Sequence, residues 1–169
     1  MSNGGQRGAV TVREAEKADV ALILKFIRDL AEYEREPEAA VATPEMLERH
    51  LFGENPVAHC LIAERDGAPA GFALYFFNFS TWLGCPGLYL EDLFVEPAFR
   101  RDGVGKALLQ MLARRAVDNG CGRFEWAVLD WNEPAIRFYR SLGARPMDAW
   151  TIFRLEGDPI RALAEHGID

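Results

Sequence analysis

At 169 residues, 49% of them hydrophobic, the chain suits one compact domain with a full-sized core and leaves no room for a second catalytic domain. Its formal net charge of -7 disfavours non-specific nucleic-acid binding, which rests on neutralising phosphates with Lys and Arg, and favours cationic partners. Cys60, Cys85 and Cys121 are odd in number and widely spaced, and His50, His59 and His166 fall at no ligand spacing, so neither a disulfide framework nor a metal site is expected.

Residues 1–8, Met-Ser-Asn-Gly-Gly-Gln-Arg-Gly, read as a flexible polar tail without signal-peptide character, ahead of a single domain over 9–169. Apolar runs such as Gly71–Phe77 are too short to span a bilayer. The expectation is a cytoplasmic protein with no membrane partner.

Ala9–Arg13 alternates like a first strand, and Asp19 is placed to cap a helix whose apolar positions Val20, Ile23, Leu24, Ile27, Leu30 and Ala31 keep helical spacing. The acidic run from Tyr33 to Glu38 ends that helix. Thr43-Pro44 reads as the N-cap and first residue of a second, reaching about Leu51. His59–Arg65, the turn Asp66-Gly67 and Pro69–Phe79 form a predicted hairpin, with the strand Leu88–Val95 beside it.

Directly after that strand comes Arg100-Arg-Asp-Gly-Val-Gly105, then Lys106-Ala-Leu-Leu109 at a helix start. Gly103 and Gly105 let the backbone approach a ligand closely, and the unbonded amides and positive dipole end of the helix face the same point, which makes a socket for a phosphate chain. Arg100, Arg101 and Lys106 add positive charge. Val104, Leu108, Leu109, Leu112 and Ala116 continue the helix to Asn119-Gly120, and Phe124–Leu129 is a further strand, so strand, helix and strand make a right-handed crossover. Asn132 opens a short helix with Pro134 in its first turn and Gly143 past its end. Trp150–Leu155 reads as a final strand and Pro159–His166 as a terminal helix.

Within the apolar strand sit two adjacent carboxylates, Glu91 and Asp92, a costly placement unless each is paired or used. Desolvation should raise the pKa of at least one. On a regular strand they would point to opposite faces, so a bulge or unequal roles is required. The bland alternative is that they accept backbone or Arg hydrogen bonds at the sheet end.

Two familiar phosphate motifs fail here. A dinucleotide fingerprint needs Gly or Ala at Leu108, and a Walker loop needs Gly at position 100 and Ser or Thr at Ala107. What remains is Arg-x-x-Gly-x-Gly, followed at a distance by Asn132-x-x-Ala135-x-x-x-Tyr139-x-x-x-Gly143. The two in this order resemble the GNAT superfamily of acetyl-CoA-dependent N-acetyltransferases. Ser80–Gly84, Tyr89–Asp92 and Ala127–Asn132 resemble its spermidine/spermine branch, especially the thialysine N-acetyltransferases, and the similarity runs from about Val10 to Leu155.

That resemblance implies an α/β fold with one mixed, mostly antiparallel sheet of six to seven strands flanked by helices. The strands of Glu91 and Val128 would splay to admit acyl-pantetheine. Backbone groups around Phe94 and Val95 would pair with it, and Arg100, Arg101, Gly103, Val104, Gly105 and Lys106 would hold the pyrophosphate. Asn132 would line the far wall, and Ala135 is small enough to admit the carrier. Glu91 is implied as general base through a water, Asp92 as an attractor of the substrate's cationic end, and Tyr139 as general acid; alone, a Tyr on an amphipathic helix is more often core packing.

Trp82 and Ser80, in the loop before the strand, are candidates for substrate binding, an aromatic face being able to hold a cation. Polyamine-acetylating relatives carry an acidic residue at the Ser80 position and a longer acidic-aromatic segment than Asp148–Trp150, which favours a short acceptor such as thialysine or a small diamine. Arg101-Asp102 departs from the glycine common after the first Arg of the turn. No metal is implied, and relatives are commonly homodimers. The rival readings are a protein lysine or N-terminal acetyltransferase and a non-catalytic acyl-CoA-binding module.

Overall fold

The computed structural model of the protein describes residues 8–165. Almost all of the expected tail, and His166 at the end of the expected terminal helix, lie outside them. The chain divides into two compact units at the Leu129–Asp130 junction.

The first unit carries β1 (Val10–Glu14), α1 (Val20–Tyr33), α2 (Pro44–Phe52), β2 (His59–Arg65), β3 (Ala68–Ser80), β4 (Cys85–Val95), α3 (Val104–Asp118) and β5 (Arg123–Trp126). The strands form one sheet in the order β1-β2-β3-β4-β5. The first three pairings are antiparallel and β4–β5 is parallel, as the crossover through α3 demands. Asp66 and Gly67 both take positive φ, 52° and 80°, giving the tight turn that joins β2 to β3.

Helix α1 lays Ile23, Phe26 and Leu30 on a sheet face made by Ile62, Phe72 and Phe94. Phe26 stacks on Phe72 with ring centres 5.5 Å apart. On the other face α3 buries Val104, Leu108 and Leu112, each worth roughly 1.5–3 kcal/mol in removed apolar surface. Thr43 caps α2 as its sequence indicates, its hydroxyl accepting from the Met46 amide at 3.3 Å. Asp19 precedes α1 but caps it with no side-chain bond. Its carboxylate is taken by the Arg13 guanidinium, at 2.7 and 2.9 Å, and by the Glu16 amide at 2.8 Å, and the Arg13 bond holds it below the usual carboxylate range.

The second unit holds α4 (Glu133–Ser141) and α5 (Asp158–Glu165). The expected strand Trp150–Leu155 is not formed, and all six of its residues are exposed. A strand exists only by pairing, and this segment has no ladder partner among the described residues. Phe124–Leu129 likewise shortens to a strand that stops at Trp126. The sheet therefore has five strands among the described residues, against the six to seven expected. No helix among them is long and apolar enough to cross a membrane.

Candidate active site where two strands part

The parallel ladder between β4 and β5 ends at Leu90 opposite Trp126. Beyond it β4 runs on to Val95, laddered only to β3. Residues 91–95 thus present a strand edge without a β5 partner, in the place where the sequence resemblance puts the carrier arm.

At that same point β4 bulges. Leu74 of β3 pairs with Asp92 and Tyr75 with Leu90, which leaves Glu91 as the extra residue. The bulge resolves the problem of adjacent carboxylates: Glu91 is exposed, and Asp92 is half-buried. Asp92 lies opposite Leu74, which packs against the α1-side core, and so turns toward α1. Burial, reinforced by the charges of Glu91 and Glu34, pushes the Asp92 carboxyl up to about 6.

Glu34 was not singled out in the sequence. It directly follows α1, where its amide bonds the Leu30 carbonyl at 2.8 Å, and burial raises its carboxyl above the ordinary value. The signal was present: Glu34 falls four residues after Leu30 and seven after Ile27, continuing the apolar stripe with a carboxylate. Reading the acidic run only as a helix stop concealed it.

The phosphate turn follows β4. It passes through two left-handed residues, Arg101 at φ 71° and Gly103 at φ 88°. Gly103 is the N-cap of α3, and the first intrahelical bond runs from the Ala107 amide to the Gly103 carbonyl at 2.9 Å. The amides of Val104, Gly105 and Lys106 precede it and point out of the helix start, which is the cradle expected for a diphosphate. Arg101 and Lys106 are exposed beside it. The left-handed backbone at Arg101 explains why glycine suits that position in the family pattern.

The structure directs Arg100 elsewhere: its Nε donates to the Val95 carbonyl at 3.1 Å, and its guanidinium lies over the Tyr33 ring. A cavity of about 500 Å³ opens beside it, lined by Lys25, Asp29, Glu32, Tyr33, Phe94 and Glu96 among others.

Ser80 and Trp82 are not brought to the carboxylates. They sit at the tip of the β3–β4 hairpin, where Ser80 pairs with Cys85, roughly 20 Å along β4 from Glu91 at about 3.3 Å per residue. The Ser80 hydroxyl accepts from the Leu83 amide and shapes the turn, while Trp82 is 87% exposed.

In the second unit Asn132 caps α4, its side-chain oxygen accepting from the Ala135 amide at 3.4 Å, and Pro134 occupies the first turn. Ala135 and Tyr139 lie one turn apart on a single face of the helix. The motif spacing is therefore a capped helix presenting a small residue and a phenol in register.

These features define the class. The chain belongs to the acetyltransferase (GNAT) family, which its residues 24–144 match. It is an N-acetyltransferase. Over 167 residues it is 42% identical to the thialysine N-epsilon-acetyltransferase of Sus scrofa, covering 92% of this chain and 98% of that one. It is 31% identical to an L-ornithine N5-acetyltransferase of Arabidopsis thaliana, covering 94% and 90% of the two chains. Among solved structures, an integron cassette protein from the mobile metagenome of V. cholerae matches with a TM-score of 0.77 at 27% identity, over 93% of this chain and 98% of that one.

Proposed function

We propose that the protein moves acetyl from acetyl-CoA to the primary amine of a small cationic acceptor, of thialysine or diamine type, by direct attack in a ternary complex. The observation that carries this reading is the bulge at Glu91, which sets one exposed and one half-buried carboxylate at the point where β4 and β5 part. The names of the relatives, thialysine and ornithine acetyltransferases, support a short acceptor that ends in a primary amine. Residues 9–169 work as one acetyltransferase domain, and the family match across the junction between the two units supports this.

An alkylamine with a pKa near ~10.4 arrives as an ammonium ion and has no lone pair until it is deprotonated. Asp92 and Glu34 attract that cation on the α1 side. Glu91, exposed on the bulge, takes the proton through a water. Acetyl-CoA supplies an electrophilic acyl carbon on a thiol leaving group. The amides of Val104, Gly105 and Lys106, with Gly103 allowing the close approach and Arg101 and Lys106 adding charge, fit its diphosphate. The free edge of β4 near Phe94 and Val95 fits an amide-bearing arm and offers donors to a developing oxyanion. Tyr139 gives its proton to the departing thiolate, and Asn132 and Ala135 serve the carrier as the second family signature implies. None of these steps asks for a metal ion. Ser80 and Trp82, at the hairpin tip, are left out of acceptor binding by the same subunit.

The test is thiol release from acetyl-CoA across a panel of amines. Turnover with thialysine, ornithine or short diamines, lowered about 10²- to 10⁴-fold by Glu91→Gln, is the expected result. Tight CoA binding without release under any amine supports a binding module instead, and turnover only with peptides supports a protein acetyltransferase.

A further inference from the structure

Arg100 heads the phosphate turn, and its exposed side chain runs back over the ends of β4 and α1. Its Nε donates to the carbonyl of Val95, the last residue of β4, at 3.1 Å. The guanidinium carbon stands 4.8 Å from the centre of the Tyr33 ring and 6.0 Å from that of Phe94. Tyr33 is the last residue of α1, so one cation joins the end of a helix, the end of a strand and the start of a turn. A second tie crosses the same seam, because Lys25 of α1 pairs with Glu96.

The turn is held at its two ends, where the Phe99 amide bonds the Glu96 carbonyl at 2.9 Å and Val104 is buried. Its backbone bonds from Arg100 to Pro97 and from Asp102 to Phe99 are both long, at 3.4 Å, and it must pass through left-handed Arg101 and Gly103 before the helix begins. An anchor at its head therefore bears on how residues 100–103 lead into α3, whose own direction is fixed by buried Val104 and Leu108. The same anchor bears on the acceptor side, since Glu34 follows Tyr33 and Asp92 lies two residues before Phe94.

We propose that Tyr33 is a positioning residue for carrier binding: its ring, with that of Phe94, holds the Arg100 guanidinium against the Val95 carbonyl, so that Arg100 sets the turn rather than gripping the diphosphate. This rests on reading residues 103–106 as the diphosphate cradle. A guanidinium on an aromatic face is a recurrent and favourable contact, of modest strength here because Arg100 and Tyr33 are both exposed.

The experiment combines calorimetric binding of CoA, steady-state kinetics and amide hydrogen exchange on the full chain carrying Tyr33→Leu, Arg100→Gln, both together, and Tyr33→Phe. Tyr33→Leu and Arg100→Gln should each weaken CoA by about 2- to 5-fold, and the double variant should lose no more than either alone. KM for acetyl-CoA should rise with kcat nearly kept, and Tyr33→Phe should bind CoA as the parent protein does. Without CoA, exchange at residues 100–104 should quicken in Tyr33→Leu. Replacing Tyr33 with pentafluorophenylalanine, which keeps the shape and reverses the charge of the ring face, should mimic Tyr33→Leu even where the leucine variant folds poorly. Additive losses, or unchanged turn exchange in both ring variants, would overturn the clamp and return Arg100 to direct phosphate contact. If the parent protein bound no CoA, the cradle reading would fall, and the exchange data would still decide the clamp.

Discussion

The two halves of β4 differ in how they are held. From Gly87 to Leu90 the strand is laddered to β3 on one side and to β5 on the other, and Gly87, Leu88 and Leu90 are buried. From Glu91 to Val95 it is laddered on one side only, opens with a bulge, and carries two carboxylates. The first half builds the sheet. The second half has spare backbone groups and polar side chains, which a sheet centre does not tolerate unless something else satisfies them. On the proposed mechanism stability and chemistry are divided within a single strand, and substitutions in the two halves should fail in different ways.

The largest effect belongs to the second half. Glu91→Gln should lower kcat by about 10²- to 10⁴-fold, read by thiol release, while the melting temperature stays within a degree or two because the side chain is exposed. Leu88→Ala, in the first half, should do the reverse. Leu88 is fully buried, so its truncation should cost about 2–5 kcal/mol in denaturant unfolding, with kcat of the folded fraction unchanged. Equal loss of turnover in both variants would erase the division.

Asp92→Asn sharpens the contrast, because there stability and function should move in opposite directions. A carboxyl raised from 3.8 to about 6 favours the folded state below its unfolded value, and that contribution is lost as pH rises through about 6. At neutral pH the charged side chain therefore weighs against folding by up to about 3 kcal/mol. The neutral amide should raise the melting temperature while raising KM for the amine about 10-fold. In the parent protein, KM for the amine should climb as pH falls below about 6, where Asp92 takes up its proton, and this rise should be absent in Asp92→Asn. The smallest effect is expected at Arg101→Gly, which relieves a φ of 71° and should stabilise the protein by about 0.5–1 kcal/mol, the entropy of glycine in the unfolded chain offsetting part of the gain.

Most of this fold was legible in the sequence because its signals are local. The α1 stripe, the Thr43-Pro44 cap, the Asp66-Gly67 turn, the glycine turn into α3 and the Asn132 cap each depend on residues close in the chain, and each is where the pattern put it. The adjacent pair Glu91-Asp92 called for a bulge or unequal roles, and the strand has the bulge. What failed depends on distant partners. Trp150–Leu155 has the composition of a strand, but a strand needs a neighbour that composition cannot name. Glu34 lies near Asp92 through the fold of α1 against β4, and the Arg100 guanidinium lies over Tyr33, 67 positions earlier in the chain. Ser80 and Trp82 lie in the loop before β4, and the length of that strand separates them from Glu91.

The central claim is that the free edge of β4 and the head of α3 receive an acyl carrier beside the bulged carboxylates. A crystal structure with CoA bound tests it most directly. The diphosphate should lie on the amides of Val104, Gly105 and Lys106, with the pantetheine arm bonded to the backbone of residues 91–95. A carrier bound elsewhere, or a β4–β5 ladder that stays closed past Leu90 with Glu91 facing away from the thiol, would contradict it.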